Sequence, residues 1–409
     1  MKVLVLTQWY PPEPVLLIQE LAQTLQKSGH GVTVLTGFPN YPSGKIYPGY
    51  HIRLIQREIL NDIPVVRVPL YPEHSLSGLW RILNYVSFAL ASSILGFFVT
   101  SKPDVIFVYH PPLTIGLPAF VLSRLWGVPF VYQIQDMWPE TLRATGMMKN
   151  ARLLRWVGRF ARWIYKKAHT ILVISPGFRR NLIDKGVPEP KIRVVSNWID
   201  TGVYKAIDCD HELAEKLGLY ERFNIMYAGN MGEAQGLETV LEAAALLSDI
   251  QAVQFVLFGE GTALPRLKRF VEEKDLKNVR FMGRYPHQTM PSLYALADIL
   301  LVHLKDDPLF RITIPSKTLA YLASGKPIIV AATGDVADMI NSAGAGIACP
   351  PGDPQALAES VRHLYQMTAE QRWALGERGR QIATREYDRD ILIPKIEQEL
   401  LIASVTRTQ

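Results

Sequence analysis

The chain has 409 residues, of which 48% are hydrophobic and 20% charged, and its formal net charge is +6. This composition excludes wholesale disorder, and the length is enough for two or three domains with substantial cores. Its two cysteines lie far apart without a CxxC pattern, which argues against a disulfide framework or a zinc site and suits a reducing compartment.

Short apolar runs alternate with helical stretches along the chain, which indicates parallel sheets with crossover helices. The first strand, KVLVLT, precedes an amphipathic helix that ends at Gly29. The later strands predicted in the first half are GVTVLTG, PVVRVP, DVIFVY, PFVYQI, TILVIS and IRVVSN. The apolar run 85–99 is shorter than the roughly 20 residues that cross a bilayer, so we expect a buried helix there.

The pattern restarts after a polar segment, 198–212, that we interpret as a linker. The strands predicted beyond it are FNIMYAG, QFVLFG, VRFMG, DILLVH and PIIVA. The sequence therefore predicts an α/β protein of two successive doubly wound, Rossmann-like units.

The two units differ in the loop that follows their first strand. In the first unit this loop, TQWYPPEPV, has no glycine, which argues against a nicotinamide-type Rossmann domain. The second unit opens with YAGNMGEAQGLETV, a strand, a glycine loop and a helix, where backbone amides can hold an anion. This loop contains Glu233 and Glu238 but no Lys or Arg, so a balancing cation must come from elsewhere.

Seven motifs occur in an order that resembles bacterial family 4 glycosyltransferases, in the branch that builds exopolysaccharide, capsule or O-antigen, including colanic acid and fucosamine transferases. They are YPPE, GHGVTVLTGFPNYPSGKIYPGY, DMWPET, VISPGF, VVSNWID, YAGNMGEAQGLETV and PSKTLAYLASGKPII. The resemblance spans residues 2–387. It implies a GT-B fold with two facing Rossmann-like domains, an acceptor domain at 1–205 and a nucleotide-sugar domain at 206–385. A last helix at 386–409 would cross back to the first domain, and the sugar would be transferred with retention.

The resemblance also implies which residues hold the nucleotide sugar. Many members carry Arg or Lys near two loop positions that are Asn230 and Gln235 here. Pro315 is suited to open a helix with Lys317 in its first turn, where the helix dipole disfavours a cation unless an anion is present. We expect Lys317 to bind the diphosphate, the alternative being a surface lysine. The other expected contacts are Gly229, Asn230, Met231, Gly232, Gln235, Gly236, Gly259, Glu260, Tyr285, Pro315, Ser316 and Thr318.

Two glutamates that the family places eight positions apart are absent, because Ile312 and Ala320 occupy those positions. Asp306 and Asp307 are candidates to supply a polar group to the sugar, or they belong to a solvated loop. The loss keeps open a catalytically degenerate partner subunit. A GT-B sugar-nucleotide epimerase is a third hypothesis, although no clear acid and base set is visible.

Asp136 follows the apolar strand FVYQI, at the strand end where open parallel sheets bind ligands. We expect its carboxylate to orient the acceptor hydroxyl or accept its proton, the alternative being a helix cap. Expected acceptor contacts are Tyr10, Tyr41, Lys45 and Glu140. We expect His110 to be structural. No essential metal and no other cofactor is expected.

A helix predicted over 149–167 carries a basic face, and the surrounding span 141–183 contains no acidic residue. The basic residues at three- and four-residue steps are Arg152, Arg155, Arg159, Arg162 and Lys166. With aromatic residues alongside, this pattern is typical of an anionic membrane surface rather than nucleic acid, with a solvated helix face as the alternative. We expect a cytoplasmic enzyme, peripheral on the inner membrane face, that moves a hexose or amino-deoxyhexose. The carrier would be UDP in preference to GDP, and the acceptor a polyprenyl-diphosphate-linked glycan.

Overall fold

Parallel sheets covered by helices form both halves of the chain in the computed structural model, which describes residues 1–73, 78–148 and 150–405. One unit comprises Met1–Ser196 and Leu392–Gln409, and the other Asn197–Ile391. The division between Ser196 and Asn197 lies before the 205/206 boundary expected from the sequence. The segment after it belongs to the second unit because the Ile199 amide donates a hydrogen bond to the Tyr387 carbonyl of that unit at 2.9 Å.

The described part of the first unit contains an eight-stranded sheet in the order β3-β4-β2-β1-β5-β6-β7-β8, and only β3 runs antiparallel to its neighbour. Its strands are β1 Lys2–Thr7, β2 Gly31–Gly37, β3 Gln56–Leu60, β4 Ile63–Val68, β5 Val105–His110, β6 Phe130–Ile134, β7 Thr170–Val173 and β8 Ile192–Val194. Its helices are α1 Leu16–Lys27, α2 Gly78–Val99, α3 Gly116–Trp126, α4 Glu140–Ala144, α5 Ala151–Lys167 and α6 Pro176–Asp184. The central strands β5, β6 and β7 are almost wholly buried, as expected for strands covered on both faces.

Helix α2 corrects the expectation of a short buried helix. It spans 22 residues, and its segment Trp80–Val99 is long and apolar enough to cross a membrane by length and composition, yet only 39% of the most apolar window is buried. Five of its exposed large apolar side chains recur every four residues and therefore follow one another along the helix surface. They are Ile82, Val86, Leu90, Ile94 and Phe98, and Trp80 and Leu83 near the start of the helix are exposed as well.

The second unit contains, within its described residues, a six-stranded parallel sheet in the order β11-β10-β9-β12-β13-β14. Its strands are β9 Phe223–Ala228, β10 Val253–Phe258, β11 Val279–Gly283, β12 Ile299–His303, β13 Ile328–Ala331 and β14 Gly346–Cys349. Its helices are α7 His211–Leu217, α8 Glu238–Leu246, α9 Leu264–Glu273, α10 Met290–Ala295, α11 Ser316–Ala323, α12 Asp335–Ala343, α13 Pro354–Gln366 and α14 Ala369–Ile382.

Alternate residues of each strand in the second unit enter two separate cores. Met226 and Ala228 of β9 pack on one side of the sheet, while Ile225 and Tyr227 pack on the other. Two-sided burial explains why these strands read as continuous apolar runs. It also leaves polar residues to gather where the strands end.

The last helix, α15, spans Arg389–Val405, so it begins in the second unit and continues in the first. In the first unit its Glu397 carboxylate lies 2.7 Å from His30 Nε2, and its Glu399 lies 3.1 Å from Arg193 Nε. The buried face of the helix consists of Leu392, Ile393, Ile396, Leu400 and Ala403. These contacts make the chain terminus a structural part of the first unit.

Candidate active site

The predicted glycine loop joins β9 to α8 and is hydrogen-bonded to the loop that follows β10. The Gly229 amide donates to the Phe258 carbonyl at 2.9 Å, and the Met231 amide donates to the Glu260 carbonyl at 2.7 Å. Gly259 has φ +129°, and a side chain there would overlap the Gly229 carbonyl oxygen. Glycine at 259 is therefore required for the close approach of the two backbones.

Several amides of the glycine loop already have partners within the protein. Besides Gly229 and Met231, the Gly232 amide donates to the Gln235 side-chain oxygen at 3.1 Å. In the described residues no acceptor meets the amides of Asn230, Glu233, Ala234 and Gly236. The free donors are thus concentrated on the 3₁₀ turn Glu233–Gln235 and its flanks, rather than along the whole loop.

Two cations that the sequence reasoning missed neutralise the acidic residues of this loop. Arg266 pairs with both Glu233, at 3.0 Å, and Glu238. Lys305 Nζ lies 3.1 Å from the Glu233 carboxylate, and the Lys305 amide donates to the Ala234 carbonyl at 3.0 Å. The hydrogen bond from Lys305 is the largest cause of the lowered pKa of Glu233. The acidic residues of the loop are thus balanced by Arg266 and Lys305.

Lys317 lies against the glycine loop, in the first turn of α11. Its ammonium is 3.7 Å from the centroid of the Tyr227 ring, and a Cβ at Gly229 would lie 2.7 Å from it. Within the described parts of the chain no oxygen accepts a hydrogen bond from this ammonium and no carboxylate pairs with it. Burial lowers the pKa of Lys317 to about 7, although part of the side chain stays accessible. The arrangement leaves a cation without an anion next to the loop.

His303, at the end of β12, holds the turn of the glycine loop in place and was not singled out from the sequence. Its Nδ1 lies 2.6 Å from the Gln235 carbonyl oxygen, so that nitrogen carries the proton and donates. Burial lowers the pKa of His303 to about 4, which keeps the ring neutral. Its Nε2 has no partner in the described residues.

The other expected contacts in this unit differ in exposure. Glu260 and Ser316 are exposed, and Pro315 is half-buried and caps α11 rather than occupying its first helical position. Tyr285 is half-buried with its ring edge-on to Phe258, at 5.3 Å between centroids. Thr318 is buried, and its hydroxyl has no hydrogen-bond partner among the described residues. The binding roles of these residues stay predictions.

The structure gives local partners to the residues around the missing glutamates. Ala320 is buried in the core and Ile312 is half-buried in a 3₁₀ turn. Asp306 accepts a hydrogen bond from Arg311 at 2.9 Å. The Asp307 carboxylate accepts the Leu309 amide at 2.8 Å, so both aspartates serve the loop itself.

In the first unit, Asp136 follows β6 at the carboxyl edge of the sheet. The residue keeps some accessible surface, yet enough protein surrounds its carboxyl to raise the pKa to about 6. Two buried polar side chains at the same strand ends, His110 and Gln133, have no hydrogen-bond partners in the described residues. Burial lowers the pKa of His110 to about 3, so its ring is neutral. Unsatisfied polar groups are costly in a core and mark this edge as a place for ligands or water.

Glu13, the last residue of the YPPE motif, ties the loop after β1 to the loop after β2. Its buried carboxylate accepts the amide of Tyr10 at 3.0 Å, of Asn40 at 2.9 Å and of Tyr41 at 2.8 Å. Burial raises the pKa of Glu13 to about 7. This residue positions both loops that were expected to contact the acceptor, a role that the sequence alone did not reveal.

The four expected acceptor contacts do not share one environment. Tyr10 is buried, with 1% of its surface exposed, whereas Lys45 is exposed. Tyr41 is half-buried and its ring lies 4.8 Å from that of Trp9. Glu140 begins α4 and lies 2.7 Å from Lys185 Nζ. Tyr10 therefore presents no open surface for a ligand in this conformation.

Helix α5 exposes its predicted basic face. The members of that face, Arg152, Arg155, Arg159, Arg162 and Lys166, are all exposed, and so are Leu153 and Trp156 beside them. Lys149, which belonged to the predicted helix, lies outside the described residues. Trp163 of α5 packs on Phe120 of α3, and Phe97 of α2 stacks on Trp126 of α3. The three helices α2, α3 and α5 thus lie side by side.

No group of three His, Cys, Asp or Glu side chains lies close enough to hold a metal ion in the part of the chain that the structure describes. Both cysteines are free, Cys209 being exposed and Cys349 buried.

Two family models match the chain: a glycosyl transferase 4-like domain over residues 16–198 and a glycosyl transferases group 1 domain over residues 222–367. The putative colanic acid biosynthesis glycosyl transferase WcaI of Escherichia coli K12 is 30% identical over 346 residues, which cover 81% of this chain and 83% of that protein. The chain is a family 4 glycosyltransferase. A second relative of this glycosyltransferase, the probable glycosyltransferase WbjE of Pseudomonas aeruginosa, is 26% identical and covers 72% of this chain and 73% of its own.

Solved structures of other proteins have the same fold as this chain. HepE of Anabaena in complex with UDP matches the glycosyltransferase with a TM-score of 0.75 at 17% identity, covering 98% of this chain and 100% of its own. Its complex with UDP-glucose matches with a TM-score of 0.74 at 18% identity, covering the same shares. The predicted GT-B fold is confirmed by this likeness.

Proposed function

We propose that this glycosyltransferase moves a hexose or amino-deoxyhexose from a nucleotide diphosphate to a lipid-linked glycan during synthesis of a cell-surface polysaccharide. The observation that carries the proposal is the Lys317 ammonium, which lies beside the glycine turn and has no anionic partner among the described residues. A partly buried cation is unfavourable unless an anion joins it. A diphosphate would supply that anion and would also accept the free amides of the turn.

UDP is the carrier that we favour over GDP. HepE, which shares the fold, was solved with UDP and with UDP-glucose. The half-buried ring of Tyr285 is suited to line a base. Lys305, on the loop that follows β12, already pairs with Glu233, so Lys317 is the cation that would offset the charge developing on the leaving diphosphate.

The reaction that we propose is a front-face substitution with retention. The bond between the sugar C1 and the diphosphate oxygen breaks, while the acceptor oxygen forms a bond to the same face of C1. The acceptor proton passes to the departing phosphate oxygen, so the protein need only position the substrates and stabilise the leaving charge. Asp136 would orient the acceptor hydroxyl, which fits a site with few catalytic side chains.

A lipid-linked acceptor would require the enzyme to work at the cytoplasmic surface of a membrane. The exposed basic face of α5 would attract anionic lipid, at roughly 1 kcal/mol for each basic residue near the surface. The apolar face of α2, in the same layer of helices, would contact the acyl boundary beside it. The paired apolar and basic faces favour a bilayer over a protein partner. The name of WcaI, a colanic acid transferase, supports the assignment to polysaccharide synthesis.

Purified full-length protein incubated with radiolabelled UDP- and GDP-sugars and native membranes tests the reaction. Label in a lipid extract would support transfer. Nucleotide binding without turnover would instead favour the degenerate partner subunit, which the missing glutamates at Ile312 and Ala320 suggest. Label confined to the nucleotide pool in a new sugar would favour the epimerase.

Membrane attachment is tested by flotation on vesicles of phosphatidylcholine and phosphatidylglycerol. The variant Leu90→Ser/Ile94→Ser removes two members of the α2 face, and Leu246→Ser removes an exposed leucine of the second unit as the control. We expect the double variant to lose flotation and the control to keep it. Equal flotation of all three proteins would reject α2 as the contact.

A further inference from the structure

A cavity of about 460 Å³ lies in the first unit, on the side of α5 that faces the start of α4. Four basic side chains line it: Arg155, Arg159 and Arg162 from α5, and Lys185 from the end of α6. None of the expected nucleotide-sugar contacts takes part in it. The cavity is therefore distinct from the proposed nucleotide-sugar site at the glycine loop.

The charges around this cavity are unbalanced. Among the described lining residues Glu140 is the one carboxylate, and it lies 2.7 Å from Lys185. In the described chain no acidic residue pairs with any of the three arginines. Arg162 is close enough to Lys185 to contribute, after burial, to lowering the pKa of that lysine. Glu140 offsets one of these charges, so the remaining positive charge near Lys185 favours a further anion.

A buried hydroxyl also lines the cavity without a partner. Tyr165 is 1% exposed, and its phenol oxygen meets no hydrogen-bond partner in the residues that the structure describes. A buried polar atom left in this way costs about 1–3 kcal/mol. An oxygen-rich anion in the cavity would accept the hydrogen bond of this hydroxyl.

Gly158 keeps the cavity open from the middle of α5. A Cβ at this position would lie 3.7 Å from Pro139, an ordinary contact, so alanine fits whereas a longer side chain would extend into the cavity. Glycine inside a helix is about 0.5–1 kcal/mol less stable than alanine. The glycine therefore lowers the stability of α5 at the point where the helix borders the cavity.

We propose that this cavity binds a phosphate or diphosphate group carried by a lipid. Arginine forks suit phosphate oxygens because they donate two parallel hydrogen bonds. The group belongs either to the prenyl diphosphate of the acceptor, an attribution that rests on the proposed function, or to the headgroup of an anionic phospholipid. Both sources present the same oxygens to the same side chains.

The test titrates full-length protein with farnesyl diphosphate by calorimetry, in the presence of UDP to occupy the glycine loop. Flotation on phosphatidylcholine vesicles with and without phosphatidylglycerol follows for the same proteins. Gly158→Met fills the cavity and Gly158→Ala is its control. Arg162→Gln removes a cavity charge, and Arg152→Gln removes an equal charge from the same helix outside the cavity.

We expect Gly158→Met and Arg162→Gln to weaken binding by about tenfold or more, as for loss of a charge-assisted hydrogen bond. Gly158→Ala should stay near wild type with both probes. Arg152→Gln should leave farnesyl diphosphate binding unchanged and lower flotation by no more than the loss of one charge from the basic face of α5. Loss of farnesyl diphosphate binding assigns the prenyl diphosphate, and loss of phosphatidylglycerol-dependent flotation assigns the phospholipid. If the wild type binds neither probe, or if Arg152→Gln weakens binding as much as Arg162→Gln, the proposal is wrong.

Two further readouts distinguish failure of the cavity proposal from a folding defect and from failure of the proposed function. Should Gly158→Met fail to unfold cooperatively, the pair of arginine variants decides. Cavity-dependent binding of farnesyl diphosphate by a protein that takes up no sugar nucleotide would keep this site and reject the proposed function. The reverse result would reject this site alone.

Discussion

Replacing Lys317 with methionine separates the roles of this residue in binding and in stability. Methionine keeps the length and the packing on Tyr227 but removes the ammonium, which lies 3.7 Å from that ring and has no anionic partner in the described residues. Hydrogen bonds to a charged group contribute about 1.5–3 kcal/mol. We therefore expect UDP to bind about 10- to 150-fold more weakly to Lys317→Met than to the wild type.

The same substitution should not destabilise the protein without ligand. Burial lowers the pKa of Lys317 to about 7, which means that folding disfavours the charged form. We expect the thermal midpoint of ligand-free Lys317→Met to equal or exceed that of the wild type. If Lys317 served only to pack on Tyr227, methionine would replace it fully and UDP affinity would stay unchanged.

Calorimetric titration with UDP between pH 6.5 and 9, chosen to bracket a pKa of about 7, gives the decisive measurement. The ammonium is the binding form and is lost above that pKa, so wild-type affinity should fall about tenfold per pH unit above 7 until the pKa of the complex is reached. Lys317→Met should show no such slope, while Lys268→Met, an exposed lysine of α9, should match the wild type. Affinity within twofold of wild type, or an unchanged pH slope, would refute the reasoning.

Three further substitutions test other parts of the site. Glu13→Ala leaves three amides without an acceptor, so urea denaturation should show a loss of about 2–4 kcal/mol; a loss below about 1 kcal/mol would contradict the positioning role. Gly259→Ala should abolish soluble protein or cost more than about 3 kcal/mol, because its methyl group overlaps the Gly229 carbonyl, whereas Gly352→Ala, with φ +72° and open space, should cost about 1–2 kcal/mol. Since the carboxyl of Asp136 has its pKa raised to about 6 and holds the acceptor hydroxyl more strongly as a carboxylate than as an acid, transfer should fall as the pH drops through 6. Asp136→Asn should remove that dependence and slow UDP release in the transfer assay while leaving UDP affinity unchanged.

The sequence predicted the strands that are buried on both sides, because a continuous apolar run is a local signal. It missed β3, whose exposed and charged edge position breaks that signal, and β14, which is four residues long and starts with Gly346. Gly346 is needed there because a side chain would overlap the Ile328 backbone. Neither strand could be recognised without knowing its neighbour.

The residues of the site were also predictable only where the signal lay in the local sequence. The position of Lys317 came from helix chemistry, since a cation in the first turn of α11 is unusual by itself. Lys305, Arg266 and Glu13 act on loops that are distant in sequence, so no local pattern pointed to them. Likewise, α2 is mostly apolar, and only the packed structure shows which of its apolar residues are exposed.

The path of α15 bears on the order in which the molecule is completed during translation. The first unit is not a continuous stretch of chain, because its last helix is made after the whole of Asn197–Ile391. While the ribosome produces that intervening stretch, the surface that later receives Ile393, Ile396 and Leu400 remains uncovered. The unit that begins synthesis first is therefore the second to be finished, and a protein truncated before α15 would leave an apolar groove for chaperones or aggregation.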